Sequence, residues 1–138
     1  MNEIKKLPEA AEFLRKQART RIMEMFQGDV DSEDDNALGK IVSENKKVKD
    51  DELLSKLVSD LKKELEPGKG WGWNLNHFSE SIPLINNEKR TYIVPLSKGM
   101  VLTPDGPVIE GHYAYITDSP TISSNSTAIF ITPFPKPG

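Results

Sequence analysis

The sequence of 138 residues contains no cysteine and no long apolar run. The first absence excludes a disulfide framework, a thiolate metal site and a cysteine nucleophile, and the second argues against a transmembrane helix. The net charge is only −3, so the chain lacks the basic character typical of nucleic-acid binding. The first residues are charged rather than apolar, unlike a secretion signal. We therefore expect a cytoplasmic protein that binds neither nucleic acid nor a membrane.

Charged residues, prolines and aromatics are divided unevenly along the chain. Residues 1–68 hold 29 of the 39 charged side chains, but only two of the ten prolines and two of the ten aromatics. A charged, proline-poor segment favours amphipathic helices, whereas prolines, glycines and aromatics among β-branched residues favour short strands and turns. We predict an α+β protein with a helical segment (1–68) and a β-rich segment (69–138). These form either one compact unit or a small β domain with a helical appendage.

The first half predicts two long helices and one short helix. Apolar residues at helical spacing follow Pro8, which suits the first turn of a helix. The second long helix follows Asp50, a good N-cap, and the short helix lies between the two long ones. The apolar stripe of this second long helix consists of Leu54, Val58, Leu61 and Leu65. Such a stripe must be covered by another part of the fold or by a partner.

The second half predicts four or five strands in an antiparallel sheet or a small barrel. Residues 90–96 and 127–132 have the β-branched and aromatic composition of strands. Pro104-Asp105-Gly106 is typical of a hairpin turn, because Asp-Gly favours the tight turns that join antiparallel strands. The second arm of this hairpin is predicted to run on as far as Thr117.

Four aromatic residues of the β-rich segment are candidates for a binding surface. Trp71 and Trp73 are two residues apart, as are Tyr113 and Tyr115, so each pair shares one face of an extended chain. Aromatic faces of this kind bind sugars, bases or proline-rich peptides, although tryptophans at a helix–sheet junction are more often part of the core. The glycines around Trp71 match neither the Walker pattern nor GxGxxG.

The two histidines are the side chains best suited to acid–base chemistry near neutral pH. His77-Phe78-Ser79 resembles the His-x-Ser/Thr element of two-histidine phosphoesterases, in which each histidine handles a proton. His112-Tyr113-Ala114 departs from that element, because alanine replaces the hydroxyl-bearing residue.

The sequence indicates no metal site and no cofactor. The acidic run at 29–35 lacks the glycine and the closing glutamate that a calcium loop requires. Glu110 and His112 share one face of a predicted strand, but no third ligand accompanies them.

These observations favour a small non-enzymatic binding or regulatory protein of the inhibitor, immunity or assembly type. It would dock on a partner protein or on a second copy of itself. The predicted contact surface is the leucine stripe, with Trp71 and Trp73 beside it. Two alternatives stay open. One is a nucleotide- or sugar-binding module that uses the aromatics of the β-rich segment, and the other is a phosphodiesterase-like hydrolase that uses His77 and His112.

Overall fold

The computed structural model describes residues 2–26, 35–44, 46–65, 67 and 69–133. The helices in this part of the chain are α1 (Glu9–Phe26), α2 (Asp35–Glu44) and α3 (Glu52–Leu65), with a 3-10 helix at Lys46–Asp50 before α3. None of the described helices is both long and apolar enough to cross a bilayer. The predicted α+β class, with helices first and antiparallel strands after them, is confirmed.

Two antiparallel sheets follow the helices. The described strands are β1 (Glu3–Lys6), β2 (Trp71–Phe78), β3 (Ile82–Pro83), β4 (Thr91–Pro95), β5 (Val101–Thr103), β6 (Gly106–Pro107), β7 (His112–Ile116), β8 (Thr121–Ile122) and β9 (Ser126–Pro133). The large sheet has the order β1-β7-β4-β9-β2, and the small sheet has the order β3-β8-β5-β6. Three strands of the small sheet are only two residues long, which is why the sequence pattern indicates fewer strands.

The large sheet lies between the helices and the small sheet. Side chains alternate along each strand, so each of its faces has its own apolar set. The set that packs with the helices is Trp71, Leu75, Val94, Ile129 and Ile131. The set that packs with the small sheet is Ile93, Ala114, Ile116, Ala128 and Phe130. The helical and β-rich segments therefore share one of the two apolar cores.

The N-terminus of α3 is capped one residue later than the sequence suggests. The Asp51 carboxylate, rather than that of Asp50, accepts a hydrogen bond from the Leu54 amide (Oδ2–N 2.9 Å). Arg21 of α1 holds the same carboxylate through two hydrogen bonds, at 2.8 and 3.0 Å. The Arg21 guanidinium lowers the pKa of Asp51, so the cap stays ionised and also ties α1 to α3.

The predicted turn at 104–106 joins β5 to β6, but the predicted length of its second arm is wrong. β6 ends at Pro107 in the small sheet, whereas β7 belongs to the large sheet. Between them, Val108 is buried in the core between the sheets, and Gly111 takes a φ of 87°. Glycine adopts this conformation readily, so the chain turns here and crosses from one sheet to the other.

Residues 3–6 form a strand although they lie in the segment predicted to be helical. β1 pairs antiparallel with β7, and the register places Ile4 opposite Ala114. A strand of four residues with one inward apolar side chain has too short an alternation for its sequence to reveal it. The large sheet thus includes a strand from the N-terminal segment of the chain.

Candidate functional site

The leucine stripe predicted as a contact surface lies inside the fold. Leu54, Val58 and Leu61 are buried in the core shared by the helices and the large sheet, and Leu65 is half-buried against it. α3 packs mainly along α1. The stripe therefore forms core in this structure, because a helix of the same chain covers it.

The two histidines do not come together. His77 is on β2 and His112 is on β7, and strands β4 and β9 lie between them. Three strand spacings amount to roughly 14 Å. Alternation also places His77 on the helix face with Leu75, and His112 on the opposite face with Ala114. A shared substrate cannot lie between two rings on opposite faces of one sheet, so the predicted catalytic pair is not formed.

His77 is packed against the backbone of α2. A Cβ built on Gly39 of α2 would lie 2.6 Å from His77 Nδ1, so only glycine leaves room for the ring. The same nitrogen is 2.8 Å from the Thr127 hydroxyl on the neighbouring strand. Burial lowers the pKa of His77, which keeps the ring neutral near neutral pH. Through these contacts, the His77 ring packs α2 against the large sheet.

We expect Gly39→Ala to lower the free energy of unfolding by about 1 to 2 kcal/mol, although alanine favours helix more than glycine does. The new methyl group would push the His77 ring away from Thr127. Urea denaturation of Gly39→Ala, His77→Ala and the double variant measures the coupling between the two positions. The double variant should lose less free energy of unfolding than the sum of the losses in the two single variants. Simple additivity would show that the ring does not rest on Gly39.

Of the two tryptophans, Trp71 is buried and Trp73 is half-buried, and both face the helices. Lys62 of α3 donates a hydrogen bond to the Trp71 carbonyl at 2.9 Å. The amide of Leu75 on the same strand donates to the Asn74 side chain, also at 2.9 Å. Because β2 is an edge strand, these two contacts occupy backbone groups that would otherwise be open to strand pairing.

Three of the predicted aromatic residues are joined into one row by a residue that the sequence reasoning missed. Tyr92 of β4 lies 5.6 Å from Trp71, 4.9 Å from Tyr115 and 5.9 Å from Tyr113, measured between ring centroids. We call these four residues the aromatic row. The three tyrosines are half-buried, so part of each residue is open to solvent, while Tyr92 and Tyr113 also pack against the core. Trp73 packs against the helices beside the row.

The sequence predicts the strand that contains Tyr92 but does not place this residue in the row. Its position between Thr91 and Ile93, both β-branched, indicates a strand and nothing more. The register that sets Tyr92 opposite Tyr115 depends on which strands become neighbours. That choice is made by packing over the whole sheet, not by the local pattern.

Cationic groups lie at the Trp71 end of the aromatic row. The Arg90 guanidinium is 5.3 Å from the centre of the Trp71 ring, within the range of a cation–π contact. Neither Arg90 nor Lys62 has a carboxylate partner in the part of the chain that the structure describes. At the other end, Lys5 pairs with Glu3 at 3.1 Å. Burial raises the pKa of Tyr92, so its hydroxyl remains a hydrogen-bond donor at neutral pH.

A second open site lies on the opposite face of the large sheet. Here a cavity of about 310 Å³ opens beside β2, and its lining includes Phe78, Leu84 and Phe130. Ile82 and Ile85 also line it, and Ile85 is 86% exposed. We call this cavity the outer groove. Its lining is largely apolar, with only amide and hydroxyl groups as polar partners.

The acidic residues discussed as metal ligands are used differently or lie outside the described residues. Glu110 forms an ion pair with Arg15 at 3.1 Å instead of pairing with His112. Within the described ranges, no group of three or more His, Cys, Asp or Glu side chains is arranged to hold a metal ion. The acidic run at 29–35 falls outside them, except for the backbone of Asp35 in α2.

Comparison of the chain with protein-family models, with curated proteins and with solved structures found no match.

Proposed function

We propose that this is a non-enzymatic binding protein that acts in the cytoplasm by contact with a partner protein, and that the aromatic row is its contact surface. The observation that carries the proposal is the assembly of Tyr92, Tyr113 and Tyr115 into one half-buried cluster. Tyrosine is enriched at protein interfaces because each ring buries a large apolar area while its hydroxyl stays hydrogen-bonded. The proposal keeps the function expected from the sequence and moves its location from the leucine stripe to the sheet.

The hydroxyl groups of the row support this proposal. None of the three tyrosine hydroxyls has a hydrogen-bond partner among the described residues. A partner that covers the rings would therefore find unused donors at the same place. An ordinary core position would have these groups satisfied within the fold.

Selection of binding peptides from a random library tests the proposal. Peptides enriched on the wild-type protein are titrated against Tyr115→Ser, Tyr115→Phe and Ile85→Ser. We expect a loss of affinity of roughly tenfold or more with Tyr115→Ser, because a central aromatic side chain carries much of an interface's energy. Tyr115→Phe keeps the ring and should lose less. Ile85→Ser alters the outer groove and should have little effect.

The proposal fails if the selected peptides bind all three variants equally well, or if no peptide is enriched. Sedimentation of the wild-type protein shows separately whether a second copy of the chain is the partner. An association that Tyr115→Ser abolishes would identify self-contact through the row. An association unaffected by this change would place self-contact elsewhere and count against the row.

The second candidate is binding of a nucleotide or sugar on the same aromatic faces. The observation in its favour is the Arg90 guanidinium at the Trp71 ring, since a cation beside an aromatic face suits a phosphate-bearing ligand. Trp71 would report such binding through its fluorescence. A saturable change with one member of a nucleotide and sugar panel, lost in Tyr115→Ser, would favour this candidate over protein contact.

A further inference from the structure

We propose that the ligand of the aromatic row is a proline-rich segment in the polyproline II conformation, with an acidic residue at the end that lies against Arg90 and Lys62. This inference rests on the proposed function and adds the chemistry of the partner. Its three supports are the spacing of the rings, the unused tyrosine hydroxyls and the charges at one end of the row.

The spacing of the row matches a polyproline II helix. This helix has three residues per turn and rises about 3.1 Å per residue, so one turn covers about 9 Å. From Trp71 across Tyr92 to Tyr115 the row advances by two steps, of 5.6 and 4.9 Å between ring centroids. One turn of the ligand therefore spans the row. Its proline rings lie on the half-buried Tyr92 and Tyr115, and its end lies over Arg90, because Trp71 itself is buried and has the Arg90 guanidinium against its ring. Grooves lined by aromatic residues bind proline-rich segments in this way.

The tyrosine hydroxyls fit the backbone of such a segment. A polyproline II helix makes no internal hydrogen bonds, so its carbonyl oxygens need donors from outside. Its prolines have no N–H group and therefore need no hydrogen-bond acceptor. Tyr92, Tyr113 and Tyr115 supply donors without requiring a strand-like partner. The edge of β2 is less suited to such a ligand, because Lys62 already bonds the Trp71 carbonyl and the Asn74 side chain already accepts from the Leu75 amide.

The charges give the ligand a direction. At the Trp71 end, Arg90 and Lys62 have no carboxylate partner among the described side chains, whereas Lys5 at the other end is paired with Glu3. An acidic residue of the ligand gains most when it lies at the Trp71 end. Two cations on a chain of net charge −3 are too few for a nucleic-acid strand, which is bound through many phosphates. The observations therefore favour an acidic, proline-rich peptide.

Three synthetic peptides test this inference on the full chain. The first is proline-rich and carries two aspartates at one end. The second carries lysines in place of the aspartates, and in the third the prolines are replaced by alanine. Tryptophan fluorescence and calorimetry give the dissociation constants. We expect the lysine peptide to bind roughly fivefold more weakly than the first and the alanine peptide roughly tenfold more weakly, because alanine loses the preformed conformation.

Charge reversal supplies the matched control. Arg90→Glu should reverse the preference, so that the lysine peptide binds better than the aspartate peptide. Lys40→Glu makes the same change in charge at a distant place. Lys40 is on α2 and follows Gly39, which contacts His77 at the opposite end of β2 from Trp71, so this variant should keep the wild-type preference. Equal preferences in Arg90→Glu and in the wild type would overturn the assigned direction.

The two proposals fail in different ways. If the library selection gives peptides that depend on Tyr115 but contain no proline, the proline-rich ligand is wrong and protein contact through the row stands. If no peptide depends on the row, both proposals fail. Tighter binding of a single-stranded oligonucleotide than of any of the three peptides, lost in Tyr115→Ser, would overturn both in favour of nucleic acid.

Discussion

Replacing Leu61 with aspartate is expected to unfold the chain rather than to separate an assembly. Leu61 of α3 is 0% exposed and is part of the core between the helices and the large sheet. Removing a buried leucine side chain alone costs about 2 to 5 kcal/mol, and an unpaired carboxylate at the same place adds its desolvation. The total is comparable to the whole stability of a domain of this size, about 5 to 15 kcal/mol.

Circular dichroism and urea denaturation check this expectation, and Leu53→Asp is the control. Leu53 is on the same helix but is 48% exposed, so the same change should alter the free energy of unfolding by about 0.5 kcal/mol or less. A folded Leu61→Asp protein with a changed oligomeric state would contradict the burial and return the leucine stripe to the role of a contact surface.

Leu61 also shows how far the sequence reaches. The spacing of the stripe predicts a helix and an apolar face that needs a cover, and both follow from local periodicity. The identity of the cover does not, because α1 and a partner protein would bury the stripe equally well. For Leu54, Val58 and Leu61, the local pattern therefore predicts the helix and its apolar face, and the structure adds that α1 is the neighbour that covers this face.

The aromatic row shows a similar limit in the β-rich segment. Alternation predicts that Tyr113 and Tyr115 share a face, and the structure places both beside Tyr92. The pairing of β4 with β7, which brings in Tyr92, passes over β5 and β6, two strands of the small sheet that lie between them in the sequence. The sequence likewise marks His77 as a candidate site residue but gives no sign of its contact with Gly39, which is 38 residues away in the chain. Contacts of this kind depend on the whole topology and leave no local signal.

The second large effect is expected for Arg15, which joins the helical segment to the turn before β7. Its side chain is only 3% exposed and forms ion pairs with Glu12 of α1 and with Glu110, the latter at 3.1 Å. The turn also contacts the segment just before α1 through a hydrogen bond from the Leu7 amide to the Gly111 carbonyl, at 2.8 Å. Arg15 thus supplies the positive charge between two carboxylates that approach from different segments.

We expect Arg15→Met to lower the free energy of unfolding by about 3 kcal/mol, because it leaves two carboxylates close together without a cation. This value lies at the low end for a broken buried pair, since Glu110 keeps part of its contact with solvent. Removing the charge of Glu110 as well should recover stability, because the repulsion between the carboxylates disappears. The free energy of unfolding should therefore fall less in the double variant Arg15→Met/Glu110→Gln than the sum of the losses in the two single variants. Urea denaturation of the four proteins gives the coupling energy. A coupling near zero would mean that Arg15 contributes by packing its methylene groups, and that the charges do not hold α1 to the turn.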